Sequence, residues 1–183
     1  MATPPVFVSG AILTAAQLNA AGLWLTGTTT VTSGTNCDVL GCFTSDFDSY
    51  RVVVSGLKTN TAGDVQITML SGSTPAASNW TSGRSQMDYV TGTMSLVKGT
   101  AAANAYGTIG SAVASGVSLD IYNPFKTEYT SYAGVSSDSR GITGYINLTT
   151  GGQLGNTTSY DGLRVLGSGC TFTNCKVSVY GYR

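Results

Sequence analysis

Short segments in which apolar and polar residues alternate are the feature that most constrains the fold of this chain. Tyr50, Val52 and Val54 alternate with Arg51 and further residues of the opposite face, and the same period of two recurs at 65–69, 117–121, 142–148, 163–165 and 177–179. In a strand, this period places successive side chains on opposite faces. Clusters of Gly, Ser, Thr and Asn separate the segments. We therefore expect about eight to ten strands in antiparallel sheets, each with one solvated face.

No sustained helical pattern separates these segments, which argues against a βαβ architecture. The sequence predicts an all-β fold, a jelly-roll-like antiparallel β-sandwich. A chain of 183 residues accommodates one such domain and an arm. We predict a boundary between an arm at 1–27 and a sandwich at 28–183. Two stretches of small and polar residues, 73–83 and 99–110, are predicted to be surface loops.

The predicted arm is apolar and contains no charged side chain, since the first charged residue of the chain is Asp38. Thr14 and Gln17 have the spacing of a capping box, which predicts a short helix over 15–21 that ends at Gly22. Disordered tails are polar and charged, so we expect this arm to dock into another protein; packing on its own domain is the alternative. The residues expected to anchor the arm are Pro4, Pro5, Phe7, Leu13, Thr14, Gln17, Leu18, Leu23 and Trp24.

The charge of the chain is low and balanced. Charged residues make up 10% of the sequence, with nine basic and nine acidic side chains, against an average of about 25% charged residues. A neutral surface argues against nucleic acid as a partner, because binding to phosphates requires basic residues. No apolar run reaches the roughly 18 residues of a membrane span, so no membrane partner is predicted.

The sequence contains no histidine, which excludes Ser-His-Asp and Cys-His catalysis and histidine-ligated zinc. Asp46 and Asp48 place two carboxylates on one side of a strand, an arrangement found in glycosidases and calcium sites. A solvated strand end before Tyr50 is the explanation we favour for them. We predict no catalytic residues, no metal site and no cofactor.

Four cysteines form two pairs of equal spacing, Cys37 with Cys42 and Cys170 with Cys175. If the first and last strands are antiparallel neighbours, one register sets Cys37 opposite Cys175 and Cys42 opposite Cys170. All four are therefore disulfide candidates, and bridges within each pair remain open. Four reduced, partly buried thiols and a four-cysteine zinc site are the alternatives.

Aromatic residues are the candidates for a recognition surface, because Tyr and Trp provide large contact areas at a low entropy cost. Trp80 and Tyr106 lie in the two predicted loops and are the candidate receptor or partner contacts. Cross-strand aromatic pairing on the sheet is the structural alternative.

The leader resembles one found on virion proteins of tailed bacteriophages, with a Phe-x-x-Gly-x-x-Leu-Thr-Ala-Ala-x-x-Asn pattern. In this chain the matching residues are Phe7, Gly10, Leu13, Thr14, Ala15, Ala16 and Asn19. The body is similar to a family of phage structural proteins through FDSYRVVVSGL at 47–57, IYNPFKTEYTSYAG at 121–134 and VYGYR at 179–183.

This resemblance implies a non-enzymatic protein of the virion surface, assembled in the bacterial cytoplasm, with other virion proteins as partners and a homotrimeric state. The expected role is that of a capsid decoration, cement or head-fibre protein that the arm attaches to the particle. The alternative is a short tail fibre or receptor-binding protein that recognises a glycan of the host surface.

Overall fold

The structure is a computed structural model that describes residues 9–10, 22–61, 63–76, 79–102, 105–110, 115–139 and 145–182. The backbone alone is described at 99–102, 105–110, 138–139 and 145–146. The strands of this part of the chain are β1 (Trp24–Val31), β2 (Asn36–Val39), β3 (Ser49–Thr59), β4 (Gly63–Ser71), β5 (Thr74–Pro75), β6 (Trp80–Asp88), β7 (Met94–Ala102), β8 (Ala105–Gly110), β9 (Ser115–Tyr122), β10 (Ser131–Ser139), β11 (Tyr145–Leu154), β12 (Gly162–Ser168) and β13 (Phe172–Tyr182).

Eight of these strands form a jelly roll. One sheet contains the order β1-β13-β3-β9, and the other contains β2-β12-β4, with β8 paired to β4. Numbered one to eight along the chain, these strands run 1-8-3-6 and 2-7-4-5, which is the order that two Greek keys produce in a jelly roll. The predicted all-β antiparallel sandwich is confirmed. We call these eight strands the jelly-roll body.

Two insertions widen one sheet of the body. The segment from β5 to β7 lies between β4 and β8, and β10 and β11 lie between β9 and β12. Strands β10, β11, β6 and β7 continue the first sheet beyond β9 in that order, so that it reaches eight strands. We call these four strands the sheet extension.

The alternating segments supply the core of the body. Val52 and Val54 of β3, Leu119 of β9, and Val177 and Val179 of β13 are buried. The opposite sheet contributes Ile67 and Met69 of β4 and Leu163 and Val165 of β12. Full burial of each such side chain contributes roughly 1.5–3 kcal/mol. The predicted alternation is confirmed in these strands because the side chains of one face point between the two sheets.

The predicted boundary between arm and sandwich is wrong by a few residues, because β1 begins at Trp24. The Thr26 and Thr28 hydroxyls donate to carbonyl oxygens of β13, Val179 at 3.2 Å and Val177 at 3.0 Å. The Trp24 ring lies 5.7 Å from that of Phe47. Residues 24–27 therefore belong to the sandwich. The predicted helix at 15–21 lies outside the described residues.

Both predicted loops contain strands. The segment 73–83 includes β5 and the start of β6, and the segment 99–110 includes the end of β7 and all of β8. Small residues such as Ala and Gly have low strand propensity, but pairing with a neighbouring strand overrides it. The backbone of β8 pairs with β4 and completes the second sheet of the jelly roll.

Among the described residues, no helix is long and apolar enough to span a bilayer.

Candidate interaction surfaces

The root of the leader lies at one edge of the eight-stranded sheet. Leu23 and Leu25 flank the half-buried Trp24, and their side chains are 49% and 48% exposed. A depression of about 250 Å³ at this point is lined by Gly22, Leu23, Arg51 and Tyr182. Burial and the nearby Asp120 carboxylate raise the pKa of Tyr182 to about 12. The chain thus enters the sandwich through an apolar, partly open corner.

Most of the predicted anchoring residues lie outside the described residues, namely Pro4, Pro5, Phe7, Leu13, Thr14, Gln17 and Leu18. Of the two that are described, Leu23 is exposed and remains available to a partner. Trp24 is a correction, because its ring packs against Phe47 of the same chain. Alternation in β1 explains the difference, since Trp24 faces inward where Leu23 and Leu25 face solvent.

The hairpin of β6 and β7 presents an apolar surface that the sequence analysis did not identify. We call its exposed side chains the hairpin patch; they are Met87, Tyr89, Val90, Met94 and Leu96. The Asp88 carboxylate shapes the turn by accepting hydrogen bonds from the backbone N–H groups of Val90 at 2.9 Å and Thr91 at 3.2 Å. Gly92 at φ +66° completes the reversal.

The sequence pattern that predicts this hairpin consists of apolar residues that alternate on both sides of the turn residues Thr91-Gly92-Thr93. Met94 and Leu96 are 72% and 81% exposed at the open edge of the sheet. Exposed large apolar side chains that cluster on a sheet edge are typical of a protein contact site.

A neutral depression of about 630 Å³ lies on the outer face of β3, β9, β10 and β11. None of the residues that line it is ionisable; the side chains that point outward include Ser118, Val135, Ser137, Asn147 and Thr149. The Asn147 amide donates a hydrogen bond to the Tyr89 hydroxyl at 2.9 Å, which joins the depression to the hairpin patch. Such a surface offers hydrogen bonds to a ligand but contains no acid or base for catalysis.

Two pairs of oppositely charged side chains on the sheets form bidentate contacts. Arg164 donates two hydrogen bonds of 2.7 Å to the Asp38 carboxylate, which raises the pKa of Arg164. Arg51 donates two of 2.9 Å to Asp120, which raises the pKa of Arg51. Bidentate pairs of this kind fix orientation and neutralise the surface. They leave no strong field for a charged ligand at either position.

Asp46 and Asp48 precede β3, and Asp48 lines a shallow depression of about 380 Å³ together with Lys126 and Glu128. Both are exposed, and the Asp48 carboxylate forms an ion pair of 3.0 Å with the Lys126 ammonium group. Among the residues that the structure describes, no group of three or more Cys, Asp or Glu side chains is placed to hold a metal ion. A solvated strand end is the arrangement that the structure supports.

The predicted cysteine register is wrong. Cys37 lies opposite Val165 of β12 and Cys175 lies opposite Val31 of β1, so the two residues are on different sheets. All four cysteines are buried free thiols in the structure, without a disulfide. The equal spacing of the two pairs suggested neighbouring strands, but the jelly roll places β2 beside β12.

The predicted contact between Cys37 and Cys175 nevertheless exists across the sandwich. The Cys37 thiol approaches the Cys175 carbonyl oxygen at 3.8 Å, and contact between the two thiols, with burial, raises the pKa of Cys175. Cys42 instead approaches the Val39 carbonyl oxygen at 3.3 Å, and burial raises its pKa to about 12. Cys170 makes no pair with Cys42, since it lies against Gly63 and Gly167.

Trp80 is also a correction. Its side chain is fully buried, and its ring lies 5.6 Å from that of Tyr132 in an edge-to-face contact. It therefore supports the sheet extension and is not a receptor contact. Only the backbone of Tyr106 is described, in β8, so the predicted contact through its side chain lies outside the described structure.

Comparison of the chain with protein-family models, curated proteins and solved structures gave no significant match. The candidate sites are therefore the described surfaces themselves: the leader root, the hairpin patch and the neutral depression. All three are suited to binding, and their side chains are neutral or paired.

Proposed function

We propose that this chain is a non-enzymatic surface protein of a tailed-bacteriophage particle and acts there as a capsid decoration protein. The leader is the attachment segment, and the jelly roll is the outer domain. The resemblance of the leader and of the body segments to phage virion proteins supports this assignment. The neutral, charge-poor composition suits a protein that functions within an assembly.

One structural observation carries the proposal. Within the described residues, the buried core cluster is formed by side chains from Cys37 to Val179. The exposed Leu23 marks the point where the apolar, uncharged leader joins this core-containing domain. An apolar segment without charged side chains gains free energy when another protein covers it.

The mechanism is attachment by burial of apolar surface. Each square ångström of apolar leader that leaves water contributes about 25 cal/mol. Joining several copies multiplies this attachment, because each further arm binds at a high effective concentration. Arms that cross capsomer boundaries would then resist the separation of capsomers under internal pressure.

Removal of residues 2–21 tests the proposal. The truncated protein is expected to keep its sandwich, measured by circular dichroism and thermal unfolding, because β1 begins at Trp24. The truncated protein should no longer bind particles that were prepared without this chain. Those particles should then be less resistant to heat than particles that carry the full-length chain. Leu40→Asp, a change at a 58% exposed leucine outside the leader, serves as the control and should bind normally. Full binding by the truncated protein would contradict the proposed role of the leader.

The second candidate function is that of a short tail fibre or receptor-binding protein. The neutral depression favours it, because Ser118, Ser137, Asn147 and Thr149 offer hydroxyl and amide groups suited to a neutral glycan. Imaging of intact virions separates the two functions. Many copies in icosahedral positions support decoration, whereas a few copies at the tail support receptor binding.

A further inference from the structure

Strand β7 is the open edge of the sheet extension. Among the described strands it pairs only with β6, and that pairing is regular from Ser82 opposite Gly99 to Met87 opposite Met94. The other edges are less suited to pairing. Strand β1 contains a bulge between Leu25 and Gly27, and β5 and β2 have only two and four residues. The pairing of β8 with β4 is irregular between Asp64 and Gln66. Bulges and short strands prevent the addition of a further strand, and β7 lacks this protection between Met94 and Lys98.

The direction of the backbone groups on β7 follows from one hydrogen bond. The Asp88 N–H donates to the Thr93 carbonyl oxygen at 2.9 Å, which makes these two residues a hydrogen-bonded pair. Antiparallel pairs alternate in type along a ladder. Ser95 therefore directs its N–H and C=O groups toward Gln86 of β6, its register partner. Met94 and Leu96 direct theirs toward the open side.

We propose that β7 is a self-association edge, at which two copies of this chain pair antiparallel about a two-fold axis at Ser95. This register sets Met94 opposite Leu96 of the second copy and places their outward-directed N–H and C=O groups in hydrogen-bonding positions. It gathers two Met94 and two Leu96 side chains on one face. Both side chains are strongly exposed in a single copy. The interface is isologous, because each residue pair occurs twice.

The charges of β7 favour a second copy as the occupant. Lys98 is the only ionisable residue in the strand. In the proposed register it lies opposite Gly92 of the other copy. The two Lys98 residues are then six positions apart, roughly 20 Å along the ladder. This exceeds the Debye length of about 8 Å at physiological ionic strength, so the lysines cost little. A second copy supplies a Leu96 opposite Met94 and a Met94 opposite Leu96. A strand from an unrelated partner does not supply this apolar pairing.

The expected dimer is weak and reversible. A single added strand pair buries less than the roughly 800 Å² per partner of a standard interface. We expect a dissociation constant of the dimer in the micromolar range. Two linked copies would bind a particle through two leaders and so with a higher avidity than one. A dimer differs from the homotrimer that the resemblance to phage proteins implies, and the mass of the associated species separates the two. The proposal does not depend on the proposed function, because association is measured on the purified full-length protein without particles.

Sedimentation of the full-length chain from about 1 to 200 µM tests the association. The wild type should shift from monomer to dimer over this range. Leu96→Glu should weaken the dimer at least tenfold, because two carboxylates then lie near each other at the two-fold axis. Leu40→Glu, at an exposed leucine away from β7, should leave it unchanged. A wild type that stays monomeric, a trimer by mass, or equal association of Leu96→Glu would overturn the proposal.

Ser95→Cys tests the register directly. Non-hydrogen-bonded residues opposite each other have Cα atoms about 4.5 Å apart, within the range that a disulfide spans. Oxidised glutathione should accept two electrons and two protons from the two introduced thiols and leave a covalent dimer. The native cysteines are buried and should not compete. Ser45→Cys, at an exposed residue outside β7, should cross-link far less. Equal cross-linking of the two variants would contradict the register, even if the protein dimerises elsewhere.

Discussion

The jelly-roll body and the sheet extension share one continuous sheet but differ in what they bury. In the body, most buried side chains are aliphatic or aromatic, such as Val52, Leu119 and Leu163. In the extension, small polar side chains make up a larger share of the buried positions; these include Ser82, Ser136 and Thr150. The body thus gains its stability from apolar burial. The extension depends more on backbone pairing between its strands, and the Thr150 hydroxyl donates a hydrogen bond to the Gly83 carbonyl oxygen.

The outer surfaces differ in the opposite sense. The extension exposes Met94 and Leu96 on β7 and Val135 on β10, whereas the outer face of the body contains the paired Arg51 and Asp120. The extension therefore exposes apolar side chains that a partner can reach. Substitutions should therefore affect stability in the body and association in the extension.

The largest expected effect is a cavity in the body. Leu163→Ala removes a fully buried side chain from β12 and should lower the free energy of unfolding by about 2–5 kcal/mol, measured in urea. Val135→Ala, on the outer face of the extension, should change it by less than about 0.5 kcal/mol. Similar losses in the two variants would remove the distinction between body and extension.

A smaller effect is expected where the extension joins the body. A Cβ on Gly134 of β10 would clash with the carbonyl oxygen of Ser118 and the Cα of Leu119 in β9. Because these are backbone atoms, Gly134→Ala should cost about 1–3 kcal/mol of unfolding free energy. Gly83→Ala in β6 is the matched control, since the nearest atom to a Cβ at this position is the Val97 carbonyl oxygen at 3.9 Å. It should be neutral or stabilising by up to about 1 kcal/mol. If the two substitutions change the free energy of unfolding equally, β9 and β10 can move apart to accommodate the added Cβ.

The third prediction concerns alkaline pH. Burial raises the pKa of Cys42 in the body to about 12, whereas a thiol in the unfolded chain ionises near 8.5. Between these values the unfolded state binds fewer protons, so stability should fall as the pH rises, by up to about 1.4 kcal/mol per pH unit for this group. Urea unfolding at pH 8, 9 and 10 measures the slope.

Cys42→Ala should flatten this slope, and Leu40→Ala, which removes no titrating group, should keep that of the wild type. An unchanged slope in Cys42→Ala would mean that the Cys42 thiol does not hold its proton in the folded state. The exposed hairpin patch has no cysteine, so substitutions there should not alter the slope.

The strands with a strong apolar alternation could be predicted from the sequence, and most of them belong to the body; the segment 142–148, which overlaps β11 of the extension, is the exception. The inward face of β3 is predicted by Tyr50, Val52 and Val54, because apolar residues at every second position indicate that one face of a strand is buried. Strands β5 and β8 could not be predicted, since Thr74, Pro75 and the Ala and Gly residues of β8 have no such pattern. Their strand conformation comes from pairing with β4.

The candidate sites were less predictable than the fold. Trp80 lies in a stretch rich in Ser, Thr and Gly that favours a loop, yet its ring is buried against Tyr132. The hairpin patch depends on which strand lies at the edge, and Leu96 would have a neighbouring side chain on each side if another strand of the chain followed β7. The sequence does not specify that order, because an alternating pattern indicates a face of the strand but not its neighbours.

The amino-acid sequence by itself determined the all-β class, the inward faces of the body strands and the apolar, uncharged character of the leader. These properties follow from local periodicity and composition. Only the tertiary structure decided that Cys37 meets Cys175 across the sandwich, that Trp24 belongs to the domain and that β7 is left with an open edge. The physical reason is that strand order depends on pairings between distant segments, such as β1 with β13, which no local pattern encodes.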